Sequence, residues 1–199
     1  MITHLPLDRD DITTQTGFGP NWYATSHGDC PCYPQSHNIH TGLDFFAPAG
    51  STAYAAVSGT IVAIYSIDAK PNVVIAVTVG EITYYVVHGH VTIDAELKAR
   101  IEEAQKQDET VQVNAGDTIG TIAEGENHLH LGLRRKTEGQ DRAYNPLLFM
   151  VPDLTVGMNF VSDTYPYYGN ESPTSMRSFL YGAGSYYDED NRNSMGIIR

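Results

Sequence analysis

Asn127-His128-Leu129-His130-Leu131-Gly132-Leu133-Arg134 is the stretch on which the reading of this chain turns. Leu129, Leu131 and Leu133 alternate with His128, His130, Gly132 and Arg134, the period of two expected for a strand with one buried face. The three leucines then point into a core, and both histidines share the opposite face. Two imidazoles two residues apart on one strand can reach a single small object. With eight histidines in the chain, a His-x-His carries little weight alone and fits a half-buried strand with solvated side chains equally well. Its weight comes from what lies upstream.

There, His40-Thr41-Gly42-Leu43-Asp44 brings an imidazole and a carboxylate to the start of a short apolar run that ends in a turn at Pro48 and Gly50. A zinc site needs only one more protein ligand to leave an open fourth position, and His130 can supply it. Standing alone, His40 and Asp44 would read more readily as a turn histidine and a capping carboxylate. His88-Gly89-His90 ends the longest β-rich run, and Gly89 is expected to leave the backbone uncrowded where a substrate strand approaches. Histidine clusters on three separate predicted strands are hard to explain as surface decoration.

The intervening sequence supplies the frame. Ala53 to Ser66, Asn72 to Val79 and Glu81 to Val91 are rich in Val, Ile, Tyr and Thr and read as consecutive antiparallel strands, with a hairpin at Gly80. Asp94 to Lys106 spaces Leu97, Ile101 and Ala104 for a short amphipathic helix that Asp94 can cap. Val111 to Ala123 is strand, turn and strand, and Tyr144 to Met150 a one-turn closing helix with Pro146 near its start. The expected fold class is mainly β, an antiparallel sheet with one short inserted helix. Three segments are expected: an irregular lead-in over residues 1–36 that covers the core, the domain itself over 37–151, and a Tyr-rich extension over 152–199 that is partly disordered or, as its aromatics favour, packs over the domain.

Composition bounds the partners. The 199 residues, 41% hydrophobic, suffice for one domain with a substantial core. A formal charge of −12, from 12 Lys+Arg against 24 Asp+Glu, argues against nucleic acid, and no basic run offers an electrostatic footprint. No window of about 18 apolar residues is present, so no membrane insertion is expected. Met1 to Gln15 lack the basic and apolar regions of a signal peptide. Cys30 and Cys32 are compatible with a tight local disulfide, two free thiols or a metal-binding pair, and do not fix the compartment.

Taken together, His40-x-x-x-Asp44, Gly89-His90-Val91-Thr92 and His128-Leu129-His130 resemble, in order and spacing, the motifs of the M23 peptidases, the lysostaphin-like zinc endopeptidases of peptidoglycan. Pro48-x-Gly50, Gly59-Thr60-Ile61-Val62 and Gly116-Asp117-Thr118-Ile119-Gly120 match the strand and turn frame of that family, and the likeness covers about residues 37 to 150. The resemblance implies an antiparallel β groove of the duplicated hybrid motif type, one zinc held by His40, Asp44 and His130, and His90 and His128 flanking the water and the scissile carbonyl. It further implies a peptidoglycan peptide as substrate, stem or cross-bridge, a monomer, and a periplasmic or extracellular location.

The chain also departs from the family pattern. Gly132 stands where Glu is frequent, only Ile122 to Asn127 replaces a longer Gly-rich loop, and the helical insertion over Asp94 to Lys106 is expected to rebuild one groove wall. Two other readings stay open. One is a non-catalytic metal-binding domain of the same fold acting as a cell-wall-binding or regulatory module. The other is a structural zinc site closed by Cys30, Cys32 and histidines, which the number of protein ligands would distinguish. His88, two residues before His90, reads as a partner or subsite residue on the same strand face, and His4, His27 and His37 as surface residues.

Overall fold

The computed structural model describes residues 1–20, 39–67, 69–137, 140–158, 186–188 and 195–196. Within them the chain is mainly antiparallel β with a single α-helix. The strands that position the site are β1 (Thr14–Thr16), β2 (Gly19–Pro20), β3 (Ile39–His40), β4 (Gly42–Phe46), β5 (Thr52–Tyr54), β6 (Gly59–Ile67), β7 (Lys70–Val79), β8 (Ile82–Gly89) and β9 (Val91–Ile93). Helix α1 (Ala95–Lys106) separates them from β10 (Val111–Val113), β11 (Thr118–Ile122), β12 (His128–Thr137) and β13 (Gln140–Tyr144). Near the C-terminus, β14 (Tyr186–Asp188) pairs with β13, and β15 (Met195–Gly196) pairs with β14.

Strand β12 is the hub. On one side it pairs with β8, and on the other its first half pairs with β4 and its second half with β13. The alternation expected from its sequence is realised: Leu129, Leu131 and Leu133 are buried beside Leu43, Phe45, Val73, Ile75 and Val86. Burial of each such leucine contributes about 2 kcal/mol, and a one-residue slip would exchange leucines for histidines in the core. The hydrophobic pattern therefore sets the register, and the register sets His130 directly opposite Asp44 on β4 and Gly89 on β8. Residues 1–20 complete the core, with Ile2, Leu7 and Phe18 buried in it and β1 paired to β4.

Two expected elements differ in detail. The run Ala53 to Ser66 is two strands, β5 in a small sheet with β11 and β9, and β6 in the main sheet. The break falls where Ala55, Ala56 and Val57 cross, buried, between the sheets and Gly59 lets β6 approach Ala76 of β7 closer than a side chain permits. Helix α1 forms as its sequence requires, Asp94 Oδ1 accepting from the Leu97 N–H at 2.9 Å and Leu97 and Ile101 turned inward. It packs beside β6 and β10, however, and in the main sheet β7 and β8 stand between β6 and β12. It therefore builds no wall next to the histidines. The hairpin at Gly80 is present, a two-residue turn with φ 63° joining Val79 to Ile82. The closing turn is a 3-10 helix over Pro146–Phe149, capped by Asn145 Oδ1.

Candidate metal centre

His40, Asp44 and His130 converge. His40 Nε2 lies 3.1 Å from Asp44 Oδ1 and 3.2 Å from His130 Nδ1, which is itself 2.9 Å from the same carboxylate oxygen. Alternation explains the meeting: Gly42 and Asp44 share a face of β4, His40 is four residues before Asp44, and His130 projects from the paired residue of β12. Gly42 makes room for the third ring, since a Cβ there would stand 2.6 Å from His130 Cε1 and Nε2. His40 and Asp44 are buried, and His130 is the member open to solvent, its side chain 21% exposed.

The donor chemistry of this trio fits a metal. The His40 Nδ1–H donates to the Gly17 carbonyl at 2.7 Å, so in the neutral ring Nε2 carries a lone pair aimed at a carboxylate oxygen. A hydrogen bond that fixes the outward ring nitrogen is how ligating histidines are oriented. Two acceptors at this distance need a proton or a cation between them. The electrostatics say the same: burial disfavours the charged form of His40, yet Asp44 outweighs it and raises the imidazole pKa. Burial would likewise raise Asp44, but the charge of His40 and hydrogen bonds from His130 and His40 hold it well below the usual carboxylate range. Donors bound to a tetrahedral zinc at about 2.0–2.1 Å stand about 3.3 Å apart, close to the separations of this set.

His128 and His90 adjoin the trio. His128 Nε2 is 3.9 Å from Asp44 Oδ1, its Nδ1 is held by Asn127 Oδ1 at 2.9 Å, and Phe46 packs on its ring at 5.1 Å. The His90 and His128 ring centroids are 4.4 Å apart at 62°. Burial lowers both pKa values; the neighbouring histidines add to this, and His90, with Lys70 nearby as well, falls to about 3. Both rings are thus neutral near pH 7. His90 adopts a left-handed backbone, φ 63°, between β8 and β9, with its carbonyl bonded to the Ala123 N–H at 2.8 Å.

That conformation corrects the reading of His88. The turn at His90 breaks the alternation, so His88 points to the core while His90 points to the site. His88 is fully buried, accepts from the Ala56 N–H at 3.0 Å through Nε2, and is lowered to about 4 by burial against weaker opposition from the Val73 and Val86 carbonyls. Gly89 also has a different purpose: it is buried, and a Cβ would meet His130 Cβ and Asn72 Oδ1 at 3.1 Å, so the space is already occupied by the paired strand and not open to a substrate. His4 hydrogen-bonds the Leu5 carbonyl and packs edge-on against Tyr54. His27, His37, Cys30 and Cys32 lie outside the described residues.

Sequence reasoning missed Glu126, whose Oε2 is 3.5 Å from His90 Nδ1 and whose Oε1 is 3.6 Å from Lys70 Nζ. Its position two residues before His128 was the available signal. It also missed the Gly17 carbonyl, for which no sequence signal exists because the contact spans 23 residues and uses backbone.

No protein-family model and no curated protein matches the chain. Solved structures do resemble it. The antimicrobial peptidase lysostaphin from Staphylococcus simulans aligns at TM-score 0.50 and 16% identity, over 87% of this chain and 61% of that one. Csd3 from Helicobacter pylori aligns at 0.45 and 18%, over 90% and 38% respectively. A zinc-containing peptidase from Vibrio cholerae aligns at 0.46 and 20%, over 66% and 36%. The chain therefore spans less than two thirds of each of these proteins, and what is established is the fold, a mainly antiparallel sheet with one helix like that of lysostaphin.

Proposed function

We propose that this chain is a zinc-dependent endopeptidase of the M23 family that hydrolyses amide bonds in the stem or cross-bridge peptides of peptidoglycan. The observation that carries the proposal is the His40, Asp44 and His130 trio, whose donors stand 2.9–3.2 Å apart with the proton of His40 committed to Gly17 on the far side. Three protein ligands leave a fourth position exchangeable, the arrangement of a catalytic and not a structural zinc site. Zinc held there supplies Lewis acidity and acidifies water to near neutrality.

The chain's own residues supply the proton chemistry. His128, neutral and 3.9 Å from the ligand carboxylate, accepts the proton of the attacking water and returns it to the leaving amine. His90, packed against His128, lines the same position and steadies the charge that develops on the carbonyl oxygen. The ordered motifs of the family resemblance, together with the lysostaphin-like fold, support the substrate class and a periplasmic or extracellular setting. No helix among the described residues is long and apolar enough to cross a membrane. In the same reading, residues 1–36 are a lead-in that covers a central domain over 37–151, and residues 152–199 are its C-terminal extension.

The test is hydrolysis of purified peptidoglycan fragments by zinc-loaded protein. His128→Ala should retain one equivalent of zinc and lose about 100-fold to 10,000-fold in turnover, the usual contribution of a positioned acid-base group. Equal turnover at equal zinc content would remove His128 from the reaction. Full zinc retention with no hydrolysis by the unaltered chain would leave a metal-binding module in place of an enzyme.

A further inference from the structure

We propose that His90, Glu126 and His128 form a second, weaker site for a divalent cation of the zinc class, and that filling it shuts the reaction off by engaging both histidines. The inhibitory half rests on the function proposed above; the binding half does not. One donor atom from each of the three residues lies within 4.8 Å of the others. His90 Nδ1 is buried and has no hydrogen-bond partner, while Glu126 Oε2 stands 3.5 Å away, too far to satisfy it. A buried nitrogen left in this state is a vacancy for either a proton donor or a cation.

The surroundings favour the cation. Glu126 already attracts one positive group, with Lys70 Nζ 3.6 Å from Oε1, a charge that a metal can displace. The left-handed backbone at His90, φ 63°, turns its ring toward His128 and away from the strand face occupied by His88. Strain of this kind persists only where the surroundings hold it, and the bond from the Ala123 N–H to the His90 carbonyl, 2.8 Å, does so here. Two imidazoles and one carboxylate suit zinc, copper, nickel or cobalt and not calcium or magnesium.

The order of affinities follows from distances. The His40 trio is already at 2.9–3.2 Å, near the spacing of bound ligands, and two of its members are buried, whereas in the second set Glu126 Oε2 stands 3.5 Å from His90 Nδ1 and all three residues are partly open to solvent. The Glu126 side chain, 18% exposed, has room to swing. His128 Nε2 lies only 3.9 Å from Asp44 Oδ1, so an ion at the second site also meets the charge of an ion at the first. The second ion is therefore the weaker and the first to leave.

The experiment titrates the full chain, stripped of metal, with zinc against a chromophoric chelator. Two steps are expected. Glu126→Gln should abolish or weaken the second by more than the roughly 10–100-fold that loss of a mere outer hydrogen bond costs, and leave the first intact. His40→Ala should remove the first. Lys70→Met should tighten the second, because the competing ammonium is gone, and calcium should produce neither step. In the hydrolysis assay, zinc beyond one equivalent should inhibit the unaltered chain with a midpoint at the second dissociation constant, and Glu126→Gln should resist. A single step in the unaltered chain, two unchanged steps in Glu126→Gln, or equal inhibition of both proteins would overturn the proposal. Two-step binding without any hydrolysis would instead count against the peptidase reading and leave the second site standing.

Discussion

Gly42→Ala is the substitution that bears most directly on how this fold makes the proposed metal centre. A Cβ at residue 42 would stand 2.6 Å from His130 Cε1 and Nε2 and 2.6 Å from the Leu131 carbonyl oxygen. Non-bonded carbons rest at about 3.5–4.0 Å, so the shortfall is about 1 Å on two fronts. One obstacle is a ring that can move only by leaving Asp44. The other is backbone, in a strand whose neighbouring pair Leu131 and Leu43 is locked in the core. Overpacking of this kind costs about 1–3 kcal/mol, and with one rigid obstacle the upper part of that range is expected. For a chain of this size each kcal/mol lowers Tm by about 2–4 °C, so metal-free Gly42→Ala should melt roughly 5–10 °C lower. Its zinc affinity should fall together with its stability. Gly132→Ala is the control: its Cβ would meet His130 Nε2 and Val87 Cβ at 3.4 Å, which small shifts absorb. Differential scanning calorimetry in chelator, followed by zinc titration, reads both quantities. If Gly42→Ala matched Gly132→Ala in Tm and zinc affinity, the claim that residue 42 holds space for His130 would be refuted.

Asp44→Asn should abolish tight zinc binding, because it removes the only carboxylate of the trio, and elemental analysis after dialysis checks it; a retained equivalent would expel Asp44 from the ligand set. His88→Leu should leave zinc binding and hydrolysis intact but cost about 1–3 kcal/mol, since the buried Ala56 N–H loses its acceptor, as denaturant titration would show. The same residue sets part of the acid limb. The folded protein keeps His88 neutral to about pH 4, whereas the unfolded chain takes up the proton near the ordinary imidazole value of 6.5. Its contribution to stability is therefore complete above 6.5 and lost as pH falls toward 4, by about 3 kcal/mol, and His88→Leu should flatten that slope. An unchanged slope in the variant would assign it to other groups.

What the sequence made legible is whatever period two governs. The leucines of β12 announced their own burial and the His-x-His its shared face, while His40, Asp44 and His130 were joined as a set by the order and spacing of the motifs in the family resemblance. The α1 cap and helix were readable because Asp94, Leu97 and Ile101 act within one chain segment. His88 was misread because alternation was extended through His90, where a left-handed residue ends it, and nothing in His-Gly-His announces a positive φ at its non-glycine member. Gly89 was misread for a related reason: a glycine beside a histidine does not say which neighbour needs its missing side chain. Glu126 was overlooked because its importance is tertiary, made by a loop that brings it to His90, 36 positions earlier in the chain, and to Lys70, 56 positions earlier.

The bond between His40 and the Gly17 carbonyl joins two ligations that differ in kind. Asp44 and His130 arrive on paired strands of the central sheet, whereas His40 sits on the two-residue strand β3 and owes its ring orientation to the segment Thr14–Pro20 laid beside it. With the proposed ligand set, seating of that segment and capture of an ion would be thermodynamically coupled, each strengthening the other by the same factor. The amino-terminal residues would then serve as a latch that the metal helps to close. Prying it open, by proteolysis or by a partner that takes up Thr14–Pro20, would loosen the centre from the His40 side while Asp44 and His130 kept their places.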